Sequence, residues 1–165
     1  MTYTKEQIIR LAVLAAADYA ANCSGPTIRG RNGEKNLRGS SVQEVAEKNG
    51  MTVDEVTALT VDLASASWDE LSAHWKEVNE ASARDMIDIM EAIGGPSVIA
   101  SVDLDDPEQQ LKFGTLLHAA WLQHPANSWA LGGDLDKPYA QLPETEQAKD
   151  IQQLRSLQKW LAALN

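Results

Sequence analysis

His118 and Trp121 stand three residues apart, which on a helix sends both side chains to one side. An imidazole so placed can exchange a hydrogen bond with a ligand while the indole stacks on a ring. Trp129 and Tyr139, a little further along, would complete an aromatic cage for a base or another flat group. The same four residues also fit a plainer arrangement, a packed tryptophan and a satisfied histidine with a small loop core around Trp129 and Tyr139. Spacing alone does not separate these readings. Between Thr27 and Arg38, four of the 14 basic residues (Arg29, Arg31, Lys35 and Arg38) alternate with glycines. Guanidinium forks on pliable backbone suit phosphate or carboxylate, and equally suit a solvated loop. Under the ligand reading, Arg29 and Arg31 close over an anion held by the aromatic residues.

Enzymatic constellations are not evident. The three histidines, His74, His118 and His124, lack H-E-x-x-H spacing, and a single cysteine, Cys23, cannot build a thiolate metal cluster or an internal disulfide. There is no Walker loop, dinucleotide fingerprint or G-x-S-x-G elbow. The expectation is a non-enzymatic protein with no cofactor and no metal site.

The elements that must position these residues are mostly helices. Thr4 and Gln7 have capping-box spacing ahead of Ile8, Leu11, Ala12, Ala15 and Tyr19, which predicts a helix buried most of the way round at the centre of the fold. Asn22 to Gly39, broken by Gly25-Pro26 and three further glycines, reads as a loop. Ser41 with Glu44 and Thr52 with Glu55 cap two short helices, 42–48 and 53–64, joined at Asn49-Gly50 as a helix-turn-helix pair. The second of these would offer Thr52, Asp54, Glu55 and Thr57 to DNA, and its acids repel phosphate. A packing or partner surface is the better expectation for this pair.

Ser67 and Glu70 then cap a long helix seamed by Leu71, Trp75, Val78, Ser82, Met86, Ile89 and Ile93, stopping at Gly94-Gly95-Pro96. Val98 to Val102 reads as a short strand or buried extended segment. Asp106-Pro107 opens a helix that runs to His124-Pro125. With Gly132, Gly133 and Pro138 inside it, 126–142 must be an irregular ordered loop or a tight hairpin, and Pro143 opens an amphipathic last helix. Near the start of that helix, Asp150 is expected to tie back the loop by accepting backbone hydrogen bonds. Asn79 is a buried-polar candidate that should hold a neighbouring backbone turn.

The stretch from His118 to Leu161 resembles the ryanodine-receptor (RyR) domain in its bacterial and phage form. That domain has an H-x-x-W helix, a G-W-x-x-G turn, and a P-Y/F-x-x-L-P run ending in K-D before a last helix. Here His118 and Trp121, Ser128-Trp129 with Gly132 or Gly133, Pro138-Tyr139, Leu142-Pro143 and Lys149-Asp150 stand in those places. Upstream, Trp68, Asn79, Ala83 and Ile93-Gly94 are similar to the helix that precedes the module, so the resemblance covers roughly residues 68–161. It implies a mostly α fold with a C-terminal RyR-like helical module, 67–165, containing a short irregular or β-hairpin loop. Residues 1–66 then form an N-terminal helical extension. The resemblance also implies a non-catalytic recognition unit, phage-encoded in some relatives, with nucleotide-like ligands for some members.

Composition sets the remaining bounds. Of 165 residues, 44% are apolar and 23% charged, as in a folded globular chain. A net charge of -10 repels nucleic acid and anionic membranes. Ile8 to Ala21 is too short to span a bilayer, so no membrane partner is expected and the cytoplasm is the natural compartment. The functional expectation is a small-ligand-binding module for a nucleotide-like or other anionic molecule through His118, Trp121, Trp129 and Tyr139 with Arg29 and Arg31. Its rival is a protein-interaction module in which an acidic surface meets a basic partner with the Trp-rich loop as hot spot. A second copy of the chain is also admitted as a partner, and a DNA-binding regulator through 42–64 is the least favoured reading.

Overall fold

The computed structural model describes residues 2–164, which form a mostly helical chain with one small antiparallel sheet. They fall into two compact units, one made of residues 2–11 with 82–164 and the other of residues 12–81. The segment just after 66 is bonded into the second unit: the Trp75 indole N–H donates to the Gly30 carbonyl at 2.8 Å, and the Ser72 hydroxyl donates to the Arg31 carbonyl.

The unit of residues 12–81 carries the sheet. Helix α1, Lys5–Asn22, starts at the expected capping box: the Gln7 N–H donates to Thr4 Oγ1 at 3.1 Å and the Thr4 N–H to Gln7 Oε1 at 2.9 Å. It is not buried all round. Ile8, Leu11 and Ala12 are enclosed, whereas Val13 and Tyr19 are exposed, because the apolar run is largely alanine and its helical faces are not equivalent. The 22–39 segment is only partly loop. Strands β1, Ile28–Gly30, and β2, Arg38–Gly39, pair antiparallel, and β3, Thr60–Asp62, pairs with the other edge of β1 to give the order β2-β1-β3. Strand β3 takes the end of the predicted 53–64 helix, so that helix is shorter than its apolar pattern suggested.

Helices α2, Val42–Asn49, and α3, Val53–Leu59, form the helix-turn-helix pair. Gly50 sits at φ 62° as the left-handed cap of α2, a conformation that costs a residue with a Cβ. Thr52 and Glu55 complete a reciprocal capping box on α3. Val45, Ala46 and Val56 close over Ile28 and Leu37, so the sheet and the helix pair share one apolar core. The Ser67–Glu70 box is present but caps a single 3-10 turn, Trp68–Glu70. The long helix α4 begins later and spans Ala73–Ala92.

In the unit of residues 2–11 and 82–164, Ala83, Met86, Ile87, Ile89 and Met90 are the buried residues of α4. The expected 98–102 strand is instead helix α5, Pro96–Ser101. Pro96 at its first turn presets a helical φ, and Gln158 closes its other end by donating to the Ile99 and Val102 carbonyls at 3.0 and 2.7 Å. Those tertiary bonds override the β-branched preference of Val98 and Ile99. Helix α6, Pro107–Gln123, has Asp106 as its N-cap, accepting from the Glu108 N–H at 3.1 Å. Helix α7, Glu144–Ala163, buries Ile151, Leu154, Leu157, Trp160 and Leu161. Between α6 and α7 there is no strand among the described residues, so the irregular loop is found and the hairpin is not. The loop is made of 3-10 turns at Pro125–Ala130 and Tyr139–Gln141 with bends between them. Among the described residues no helix is long and apolar enough to cross a membrane.

Candidate recognition site

The 125–138 loop owes its shape to hydrogen bonds from side chains at its edges. Asn127 Nδ2 donates to the Trp121 carbonyl at 3.0 Å, and the Ala126 N–H donates to His124 Nδ1 at 3.2 Å, capping the first 3-10 turn from both sides. Asp136 accepts from the Gly132 N–H at 2.8 Å, closing the Gly-Gly bend. From α6, His118 reaches the middle of the loop, its Nε2 lying 2.9 Å from the Leu135 carbonyl oxygen.

Held this way, the aromatic residues form a graded stack. The His118 ring lies nearly parallel to the Trp121 indole, 14° between planes with centroids 5.7 Å apart. Trp121 in turn meets Trp129 edge to face at 89° and 5.8 Å. His118 is only 3% exposed and Trp121 is half-buried, whereas Trp129 is 70% exposed and Leu131 beside it 57%. The stack therefore runs from the core of this unit to its surface and ends in an apolar pair. Leu131 carried no signal in the sequence, where it is one leucine among many.

His118 and Tyr139 are placed inside. Both imidazole nitrogens face protein acceptors, Leu135 on one side and Asp150 Oδ2, 3.3 Å from Nδ1, on the other. Asp150 thus reaches the imidazole of α6 and not the loop backbone, because α7 carries it inward against α6. Burial first, and then the Glu146 charge, push its carboxyl up to about 6 against the pull of His118 and Lys149. The Tyr139 ring lies over Gly114, where a Cβ would come within 2.6 Å of Cζ. Burial and then the Asp150 charge push the Tyr139 hydroxyl up.

Arg29 and Arg31 belong to the unit of residues 12–81. There Arg29 Nη1 donates to the Ile28 carbonyl at 2.7 Å and Arg31 Nε to the Ala58 carbonyl at 3.1 Å. Arg31 lines a cleft of about 410 Å³ with Asp62 and Glu70 among its walls. Burial pushes Asp62 up, but the Thr27 and Ala64 N–H groups and the Ser65 hydroxyl outweigh it and hold this carboxyl below its usual range. Asn79 Nδ2 donates to the Trp75 carbonyl one turn back at 2.8 Å, a local role within α4.

One cluster escaped sequence reasoning, because its members meet only across α4 and α6. Asp85, Asp88 and His124 bring three ligand-type atoms within 4.8 Å of one another. His124 Nε2 lies 3.0 Å from Asp88 and 3.8 Å from Asp85. The Ala126 N–H points at Nδ1, so Nδ1 must be the acceptor and the ring proton sits on Nε2, aimed at Asp88. A histidine that binds metal through one nitrogen normally donates a hydrogen bond through the other, and here the other nitrogen accepts one. The cluster reads as an anchored loop cap.

No family model, curated protein or solved structure matches the chain.

Proposed function

We propose that the chain is a non-catalytic recognition module that binds a basic segment of a partner protein through Trp129 and Leu131. The observation that carries this is the 70% exposed indole of Trp129, braced edge-on by Trp121 and adjacent to an exposed leucine. A large aromatic side chain whose orientation is set in advance contributes contact area at little entropic cost, as at protein-interface hot spots. The surroundings favour a cationic partner. Asp134 and Asp136 are exposed on the same loop, Asp88 sits against the His124 cap, and the whole chain carries a net charge of -10.

The resemblance of roughly residues 68–161 to the RyR domain supports a recognition role. A ligand pocket using His118 and Tyr139 has less support, since one imidazole spans two internal acceptors and the phenol is enclosed. A DNA-reading role for α3 has least, because α3 bears Asp54 and Glu55 and no basic side chain. Cys23, free and half-buried, is compatible with a reducing, cytoplasmic setting.

The test is titration of the protein with Lys/Arg-rich peptides that include one bulky apolar residue, followed by tryptophan emission and calorimetry, alongside a nucleotide panel. The expected result is saturable, salt-sensitive peptide binding that Trp129→Ala weakens by about tenfold or more. Binding of a nucleotide with no response to any peptide would replace this reading with the small-ligand one.

A further inference from the structure

His118 faces a problem of proton counting. A neutral imidazole has one N–H, yet each of its two nitrogens lies beside an acceptor, Nε2 hydrogen-bonded to the Leu135 carbonyl at 2.9 Å and Nδ1 3.3 Å from Asp150 Oδ2. Oδ2 is buried, and no hydrogen bond reaches it from the described residues. Both sides can be satisfied only when the pair holds one extra proton, as imidazolium with carboxylate or as neutral imidazole with a protonated Asp150. When that proton leaves, the remaining N–H serves one acceptor, and the charged carboxylate is the stronger of the two. The carbonyl of Leu135 is then released.

We propose that His118 and Asp150 form a proton-controlled tether that positions the loop carrying Trp129 and Leu131. The proposal rests on the reading of those two residues as the recognition face. With the proton held, α7 is joined through Asp150 and His118 to Leu135, and the His118 ring is fixed as the base on which Trp121, and through it Trp129, is stacked. Without it, the ring turns toward Asp150, the 131–138 bend loses its link to α6, and Trp129 loses its fixed orientation. Among the described residues, the Leu135 carbonyl then keeps the Lys137 N–H at 3.0 Å.

The charged groups around the pair set where the change falls. On α7, Glu146 favours retention of the proton and Lys149 opposes it, with Lys149 Nζ itself paired to Glu146 at 2.9 Å. From the 3-10 turn at 139–141, Tyr139 stays neutral, its hydroxyl pushed up by burial and by Asp150. In the loop, Asp134 and Asp136 are exposed and Lys137 half-buried beside Leu135. Desolvation of Asp150 lifts its carboxyl to about 6, which favours retention of the proton by the pair.

The experiment uses the full chain without any partner, so it stands whether or not a partner is found. Side-chain 15N correlation spectra give the number of protons on the His118 ring, and near-ultraviolet circular dichroism reports the Trp121–Trp129 pair, both from pH 5 to pH 8. In the wild type, the expected result is a Trp signal that changes with a midpoint near pH 6 as the sole His118 ring proton moves from Nε2 to Nδ1, or as two ring protons become one. Asp150→Asn supplies an amide N–H to Nδ1 without an extra proton, and should hold Nε2–H on Leu135 and a constant Trp signal across the range. His118→Phe should keep the stack without the tether and show the high-pH Trp signal throughout. If that variant does not fold, the Asp150→Asn comparison decides. A wild-type Trp signal that does not change between pH 5 and 8, or a midpoint unchanged in Asp150→Asn, overturns the proposal.

Discussion

The indole N–H of Trp160 donates to the Gln7 carbonyl at 2.9 Å, joining residues 153 positions apart in the chain within one compact unit. Trp160 is 1% exposed, and the Tyr3 ring leans on it at 4.8 Å. The bond and the packing can be separated by mutation. Trp160→Phe removes the donor and some volume and should cost about 1–2 kcal/mol, while Trp160→Ala opens a cavity and should cost about 3–5 kcal/mol. Urea denaturation followed by far-ultraviolet circular dichroism checks both, and equal losses would mean that packing around Trp160 contributes little.

Gly114 lies inside α6, where alanine would normally stabilise a helix by up to about 1 kcal/mol. Here the sign should reverse. A Cβ would meet Tyr139 Cζ, Cε2 and Cε1 at 2.6, 2.7 and 2.9 Å, atoms of a rigid buried ring. Gly114→Ala should therefore destabilise by about 1–3 kcal/mol, as other overpacked cores do. A raised melting temperature in that variant would place the Tyr139 ring elsewhere.

The pH dependence of stability follows from Asp150. Its carboxyl titrates near 6 in the folded chain against 3.8 for the unperturbed group, so the folded state binds this proton more tightly. Its stabilising contribution is complete below about pH 4 and is lost as pH rises through about 6. Asp62 acts in the opposite sense, since its lowered value gives stability that is lost as pH falls below the usual carboxylate range. Comparing the wild type with Asp150→Asn by denaturation at pH 4, 5, 6 and 7 isolates the first group. The variant should gain relative stability as pH rises through this window, and a constant difference would contradict the assignment.

Local features were legible in the sequence and distant ones were not. The Thr4–Gln7 and Thr52–Glu55 boxes, the Asp106-Pro107 start and the Gly50 cap involve residues within a few positions of each other, and each forms as its pattern implies. Strand β3 was hidden because Thr60–Asp62 continues the apolar run of α3 with no glycine or proline to mark the change. Helix α5 was hidden because Val98 and Ile99 favour strands in isolation and are overruled by Gln158, some 60 positions away. The aromatic loop was identified by composition, but which of its residues face outward was not, since exposure depends on how α6 and α7 enclose His118 and Tyr139. Asp150 reads in the sequence as a helix-start acid, and its partnership with a histidine 32 positions earlier appears only in the folded chain.

For the proposed recognition face of Trp129 and Leu131, the most direct measurement is calorimetric titration of one basic, apolar-containing peptide into the wild type, Trp129→Ala, Leu131→Ser and, as a control in the other unit, Arg31→Ala. The expected outcome is saturable binding by the wild type and Arg31→Ala, with a loss of about tenfold or more in both loop variants while their helical content is unchanged. Equal affinity across all four proteins, or a loss confined to Arg31→Ala, would contradict it.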